Sequence, residues 1–92
     1  MKVERFEFSR KFDKAYAKLS ERSQTRVRAA LAKAAENLAH PALRMHELKG
    51  AAAGTVSLNA GGDLRILCRI HEVDGLTVAF LELVGTHSQL YG

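Results

Sequence analysis

The last eight residues, Gly85-Thr86-His87-Ser88-Gln89-Leu90-Tyr91-Gly92, set an imidazole and a phenol four positions apart just after an apolar run that ends at Val84. A strand end can hold a reactive side chain at the edge of a cleft, and an imidazole titrates close enough to neutrality to give or take a proton. His87 is therefore a candidate acid. Upstream, Arg65, Arg69 and His71 alternate with apolar residues, so one strand would carry all three on a single face. Cations beside a proton donor suit a phosphodiester substrate.

RNA brings its own nucleophile, the 2′-hydroxyl. Its cleavage needs a base to take that proton, a cation to stabilise charge on the phosphate and an acid to protonate the leaving 5′-oxygen. Each need has a candidate: His87 as acid, Arg65 as phosphate clamp through its bidentate fork, and His46 or Asp63 as the base or the group that orients it. Lys49 would add positive charge, and Arg69 is a further candidate for substrate contact. Tyr91 could stack on an unpaired base, an interaction worth about 1–3 kcal/mol. Each also has a structural reading: His87 as a cap of the strand end, His46 as a partner for a buried carbonyl, Asp63 as turn chemistry after Gly61-Gly62, Arg65 and Arg69 as a solvated strand face, and Tyr91 as packing. His40 is assigned to a helix exit and His71 to solvent.

Other chemistries lack their residues. No two of His40, His46, His71 and His87 have the close spacing of a zinc helix or knuckle, and Cys68 is the only cysteine. There is no Gly-x-Ser-x-Gly elbow. Gly50-Ala51-Ala52-Ala53-Gly54 lacks the Gly-Lys-Ser/Thr ending that grips a nucleotide phosphate and magnesium. No cofactor is expected.

The chain has 92 residues, a length that suits one domain with a modest core. Fourteen Lys and Arg against ten Asp and Glu give a net charge of +4, which favours polyanionic partners or an acidic protein. Cys68 stands in an apolar run as a small core hydrophobe, and a lone cysteine fits a reducing compartment. The first residues lack the apolar core of a signal peptide and no stretch is long enough to span a bilayer, so a soluble cytoplasmic protein is expected.

The elements that must position these groups can be traced along the chain. Val3 to Phe8 alternates as a short strand, and Ser9 then caps a helix carrying Phe12, Tyr16 and Leu19. Ser20 caps a longer helix with Val27, Leu31, Ala34 or Ala35, and Leu38 on its apolar stripe, ending before Pro41. The two helices would form a hairpin. Residues 39 to 53 read as a loop, with Ala51-Ala52-Ala53 carrying little turn or strand information. Three runs follow, Thr55 to Ala60, Leu64 to Val73 and Leu76 to Val84, parted by Gly61-Gly62 and Asp74-Gly75, which supply the positive φ of tight hairpins. Helices on one side of this antiparallel meander give a two-layer α+β domain with about four strands.

His46-Glu47-Leu48-Lys49-Gly50, Gly54, Gly62-Asp63-Leu64-Arg65-Ile66-Leu67 and Gly85-Thr86-His87-Ser88-Gln89-Leu90-Tyr91 together resemble the RelE/ParE superfamily of bacterial toxins, most closely its YafQ-like branch. The resemblance implies a small antiparallel sheet with two N-terminal helices. It also implies a type II toxin that cleaves mRNA on the ribosome without a metal and is inhibited by a cognate antitoxin. DNA would be met only through the toxin-antitoxin complex. It matches His46, Asp63 and His87 to catalytic positions, Tyr91 to a C-terminal aromatic, and Arg65 to a strand arginine of RelE and YoeB relatives. Three positions depart from the YafQ-like pattern: Asn59 replaces a second histidine, Leu64 a tryptophan and Leu83 an arginine. Losing that arginine removes one phosphate contact, which Arg65 could supply from the neighbouring strand. Two other functions share the fold. One is the ParE-like poisoning of DNA gyrase without nuclease activity, whose members generally lack the Gly-Thr-His tail. The other is a weakened toxin acting mainly with its antitoxin in autoregulation.

Overall fold

The computed structural model describes residues 1–50 and 53–91. Ala51 and Ala52 of the anticipated loop, and Gly92 of the tail, lie outside the described residues. Strand β1 (Arg5–Phe8) leads into helices α1 (Arg10–Lys18) and α2 (Glu21–Glu36). A single 3-10 turn (Pro41–Leu43), strands β2 (His46–Glu47), β3 (Val56–Asn59), β4 (Leu64–Val73) and β5 (Leu76–Thr86), and a short helix α3 (His87–Tyr91) complete the order.

Both long helices start where the chain offers a hydroxyl cap. Ser9 Oγ accepts the Phe12 N–H at 2.9 Å and donates to the Glu82 carbonyl at 2.7 Å, so one side chain starts α1 and ties it to β5. Ser20 Oγ accepts from Ser23 N–H at 3.1 Å and starts α2. Helix α2 stops at Glu36, ahead of Pro41 as anticipated.

The sheet runs β1-β5-β4-β3-β2. Strands β2 to β5 are antiparallel neighbours, whereas β1 lies parallel to β5, with Phe6 opposite Ala79 and Phe8 opposite Leu81. The sheet therefore has five strands and is mixed, where about four antiparallel strands were anticipated. Alternation along Val3 to Phe8 reveals a strand but carries neither its partner nor its direction, and the intervening helices make the parallel return possible. Strand β2 was hidden because two residues show no period. Asp74 and Gly75 take φ of 52° and 78°, the doubly positive geometry of a tight hairpin between β4 and β5. A bulge at the Leu67/Cys68 step of that ladder leaves Glu82 as the extra residue of β5.

One buried cluster joins the layers. Phe12 of α1 and Val27, Ala30 and Ala34 of α2 meet Leu58, Ile66, Cys68, Leu81 and Val84 of the sheet. Of the two alanines that could complete the helical stripe, Ala34 is the buried one. No helix among the described residues is long and apolar enough to cross a membrane.

Candidate active site

Strand alternation sorts β3 and β4 into two faces. Leu58, Ile66 and Cys68 point into the helix-packed core, which leaves Ser57, Asn59 and Arg65 on the opposite face. Register then aligns them. His46 of β2 sits opposite Ser57, and Asn59 sits opposite Arg65, which in turn faces Gly85 of β5. Beyond Gly85 the chain turns into α3 and returns His87 and Tyr91 to the same face. His46, Leu48, Ser57, Arg65, His87 and Tyr91 line one cavity of about 390 Å³.

Helix α3 follows from local chemistry. Thr86-His87-Ser88-Gln89 is a capping box: the Gln89 amide donates to Thr86 Oγ1 at 3.3 Å, and Gln89 Oε1 accepts the Thr86 N–H at 2.8 Å. The His87 N–H donates to the Asp63 carbonyl at 3.0 Å, anchoring α3 to the turn before β4. Gly85 makes room for this return, since a Cβ there would stand 2.9 Å from Gln89 Oε1 and 3.5 Å from Leu90 Cδ2. The rings of His87 and Tyr91 meet at 4.6 Å between centroids with a 57° tilt.

Arg65 is held by one end only. Its Nη1 donates to Asn59 Oδ1 at 2.7 Å, the Gly62 carbonyl at 2.9 Å and the Leu64 carbonyl at 3.0 Å. Nε and Nη2 make no hydrogen bond among the described residues, which leaves the bidentate edge of the guanidinium for an anion. Asn59 holds the tether in place, donating to the Ala42 carbonyl at 3.2 Å and accepting the Gly61 N–H at 3.3 Å. His46 Nδ1 lies 3.2 Å from the Arg44 carbonyl. A carbonyl can only accept, so Nδ1 carries the proton and the lone pair of the neutral ring is on Nε2.

The cavity gathers His46, Arg65, His87 and Tyr91 from the anticipated residues. Three others stand apart. Asp63 is exposed and contributes its backbone carbonyl to His87, its side chain lying outside the cavity lining. Lys49 is exposed beyond β2. Arg69 pairs through Nε with Glu82 Oε1 at 3.2 Å, a carboxylate that also accepts from Thr55 Oγ1 at 3.4 Å. His40, expected at the helix exit, instead caps the start of the 3-10 turn, accepting the Ala42 N–H at 3.1 Å on its Nδ1, while Asn37 ends α2; His71 is exposed. Ser57 in the lining and Asn59 behind Arg65 are residues that the sequence did not nominate. Leu83, which stands in place of the arginine, faces a separate depression of about 450 Å³ shared with Lys11, Lys14 and Lys18 of α1. Among the described residues no three of His, Cys, Asp and Glu gather around a point that could hold a metal. Beneath the face, burial pushes the Cys68 thiol up from 9.0 to about 12, with Glu82 adding to the rise.

The sequence matches no protein-family model and no curated protein. Solved structures do match it. With a chain of the E. coli DinJ-YafQ toxin-antitoxin complex it shares 20% identity at a TM-score of 0.73, over 95% of its own length and 96% of that chain. With the YoeB/ParE toxin from Agrobacterium tumefaciens the identity is 16% and the TM-score 0.74, over 95% and 99%. With a chain of the toxin-antitoxin complex RelBE2 from Mycobacterium tuberculosis the figures are 25% and 0.59, over 89% and 95%. The chain has the RelE/YafQ-like toxin fold.

Proposed function

We propose that this chain, with its RelE/YafQ-like fold, is the toxin of a toxin-antitoxin pair and cleaves mRNA on the ribosome by proton transfer. The observation that carries the reading is the meeting of His46, Arg65 and His87 around one cavity. In the reaction, His46 Nε2 takes the proton of the ribose 2′-hydroxyl as that oxygen attacks the adjacent phosphorus. The bond from phosphorus to the 5′-oxygen breaks, and His87 protonates the leaving oxygen. The products are a 2′,3′-cyclic phosphate and a 5′-hydroxyl. The free edge of Arg65 stabilises charge on the phosphate, and Tyr91, 40% exposed beside His87, stacks on a neighbouring base.

Asp63 fits this scheme as an anchor for α3 through its carbonyl, leaving His46 as the base. Lys49 and Arg69 fit as outer cations that steer the messenger, Arg69 with its charge partly answered by Glu82. The relatives that crystallise as toxin-antitoxin complexes support a cognate antitoxin as the inhibiting partner. A ribosomal substrate places the action in the cytoplasm, where a reduced Cys68 is at home.

Inducible expression followed by transcript-end mapping tests the proposal. New 5′ ends at fixed codon positions within translated frames are expected, and they should vanish when translation is blocked. Intact transcripts together with broken or relaxed chromosomal DNA would select the gyrase poison instead.

A further inference from the structure

Ser57 is 1% exposed, and its Oγ is the only buried side-chain nitrogen or oxygen without a hydrogen-bond partner among the described residues. Such atoms are rare in folded proteins because desolvation is not repaid, so an orphaned hydroxyl beside a cavity calls for a partner the free protein does not contain. The surroundings define that partner. The cavity beside Ser57 is lined otherwise by His46, Leu48, Arg65, His87 and Tyr91, with no carboxylate among them. Arg65 only donates and Ser57 Oγ bonds neither imidazole nor any other group, so the serine hydroxyl is free for an acceptor drawn in by the guanidinium.

We infer that Ser57 Oγ is a substrate-binding donor that gives its hydrogen bond to a non-bridging oxygen of the phosphate held by Arg65. The placement is set by register, since Ser57 lies opposite His46 on β2 and two residues before Asn59, the tether of Arg65. Rotation about its χ1 would turn the buried Oγ to the cavity that Ser57 lines, where a phosphate would meet a neutral donor from β3 and a charged edge from β4. The inference rests on the nuclease reading for the identity of its ligand, but a test by binding does not need cleavage.

The experiment titrates inorganic phosphate into the full chain and into Ser57→Ala and Ser57→Thr, following the His46 and His87 ring signals and the Arg65 Nε signal by NMR. Thermal unfolding of each variant is measured in parallel. Ser57→Ala should bind phosphate about tenfold more weakly and melt at the wild-type temperature or above it, because it removes an unpaired buried hydroxyl. Ser57→Thr keeps the donor and should retain the affinity. Equal phosphate affinity in wild type and Ser57→Ala would overturn the assignment, as would phosphate that leaves the three wild-type signals unmoved. If phosphate binds as expected while programmed ribosomes stay uncut, the nuclease reading fails and the serine donor stands. With cleavage established, phosphorothioate substitution adds a second reading. Ser57→Ala should reduce the penalty for sulfur at one non-bridging oxygen of the scissile phosphate and leave the other unchanged, whereas equal penalties in both proteins count against the contact.

Discussion

Asn59 is the perturbation that separates the orientation of Arg65 from its charge. Asn59→Ala removes the 2.7 Å bond to Arg65 together with longer bonds to the Ala42 carbonyl and the Gly61 amide. A hydrogen bond to a charged group contributes about 1.5–3 kcal/mol and neutral ones about 0.5–1.5 each. Arg65 keeps its Gly62 and Leu64 carbonyls and the site is half open, so a net loss of about 1–3 kcal/mol is expected. For a domain this size that lowers the melting temperature by roughly 4–8 °C per kcal/mol. If about 1 kcal/mol of the bond goes into aiming the guanidinium, kcat/KM falls about fivefold. Asn59→Asp makes the sharper comparison. It keeps an oxygen for the tether but adds a negative charge beside the phosphate position, and two charges near 4 Å interact by about 1 kcal/mol in water and about 4 kcal/mol near a protein surface. Cleavage by Asn59→Asp should therefore be about tenfold or more below Asn59→Ala. Cleavage of messenger on programmed ribosomes under single-turnover conditions, with melting curves alongside, measures both quantities. Activity in Asn59→Asp equal to or above that of Asn59→Ala would refute the tethered-clamp geometry.

Other perturbations address the remaining supports of the site. Gly85→Ala places a Cβ 2.9 Å from Gln89 Oε1, so the Gln89 side chain should swing aside and give up its bond to the Thr86 N–H, loosening the start of α3 and lowering cleavage about fivefold while the core holds; unchanged cleavage with an unchanged NMR environment for His87 would contradict this packing. Asp63→Asn should cost less activity than His46→Ala, because only the Asp63 backbone carbonyl meets α3; equal losses in single-turnover rates would restore the carboxylate to the chemistry. Cys68, held near 12 by burial, should resist a thiol reagent at pH 8 until the chain unfolds. The sign follows from the raised value. Below pH 9 the thiol is neutral in both states, and as pH rises from 9 towards 12 only the unfolded chain ionises, so stability should fall across that window and Cys68→Ala should flatten the fall. A denaturation midpoint that ignores pH there in wild type would contradict the burial.

The parts of the molecule legible in the sequence are those written in local chemistry. Ser9 and Ser20 stand one residue before the helices they cap, and Asp74-Gly75 marks its hairpin because both residues must take positive φ. His46, Arg65, His87 and Tyr91 could be nominated because each residue type carries its chemistry wherever the fold puts it. The unread parts depend on partners. Arg65 and Arg69 share a strand face by spacing, but the bulge of β5 brings Glu82 to Arg69, and no periodicity announces a bulge. Asn59 looked like the loss of a histidine until register placed it beside Arg65. Ser57 is one of three polar residues, with Thr55 and Asn59, that alternate with apolar ones along the run from Thr55 to Ala60, and its lack of a partner exists only in three dimensions. The Thr86-x-x-Gln89 box is the local signal that marks α3 in the sequence.

The most direct measurement takes purified protein and ribosomes programmed with a defined messenger and determines the chemistry of the new ends. Proton transfer through the 2′-hydroxyl leaves a 5′-hydroxyl that needs phosphorylation before ligation and a 2′,3′-cyclic phosphate upstream, and both His46→Ala and His87→Ala should abolish these ends while remaining folded. New ends carrying a 5′-phosphate, or unchanged cleavage in either histidine variant, would contradict the assignment of His46, Arg65 and His87 to one phosphodiester.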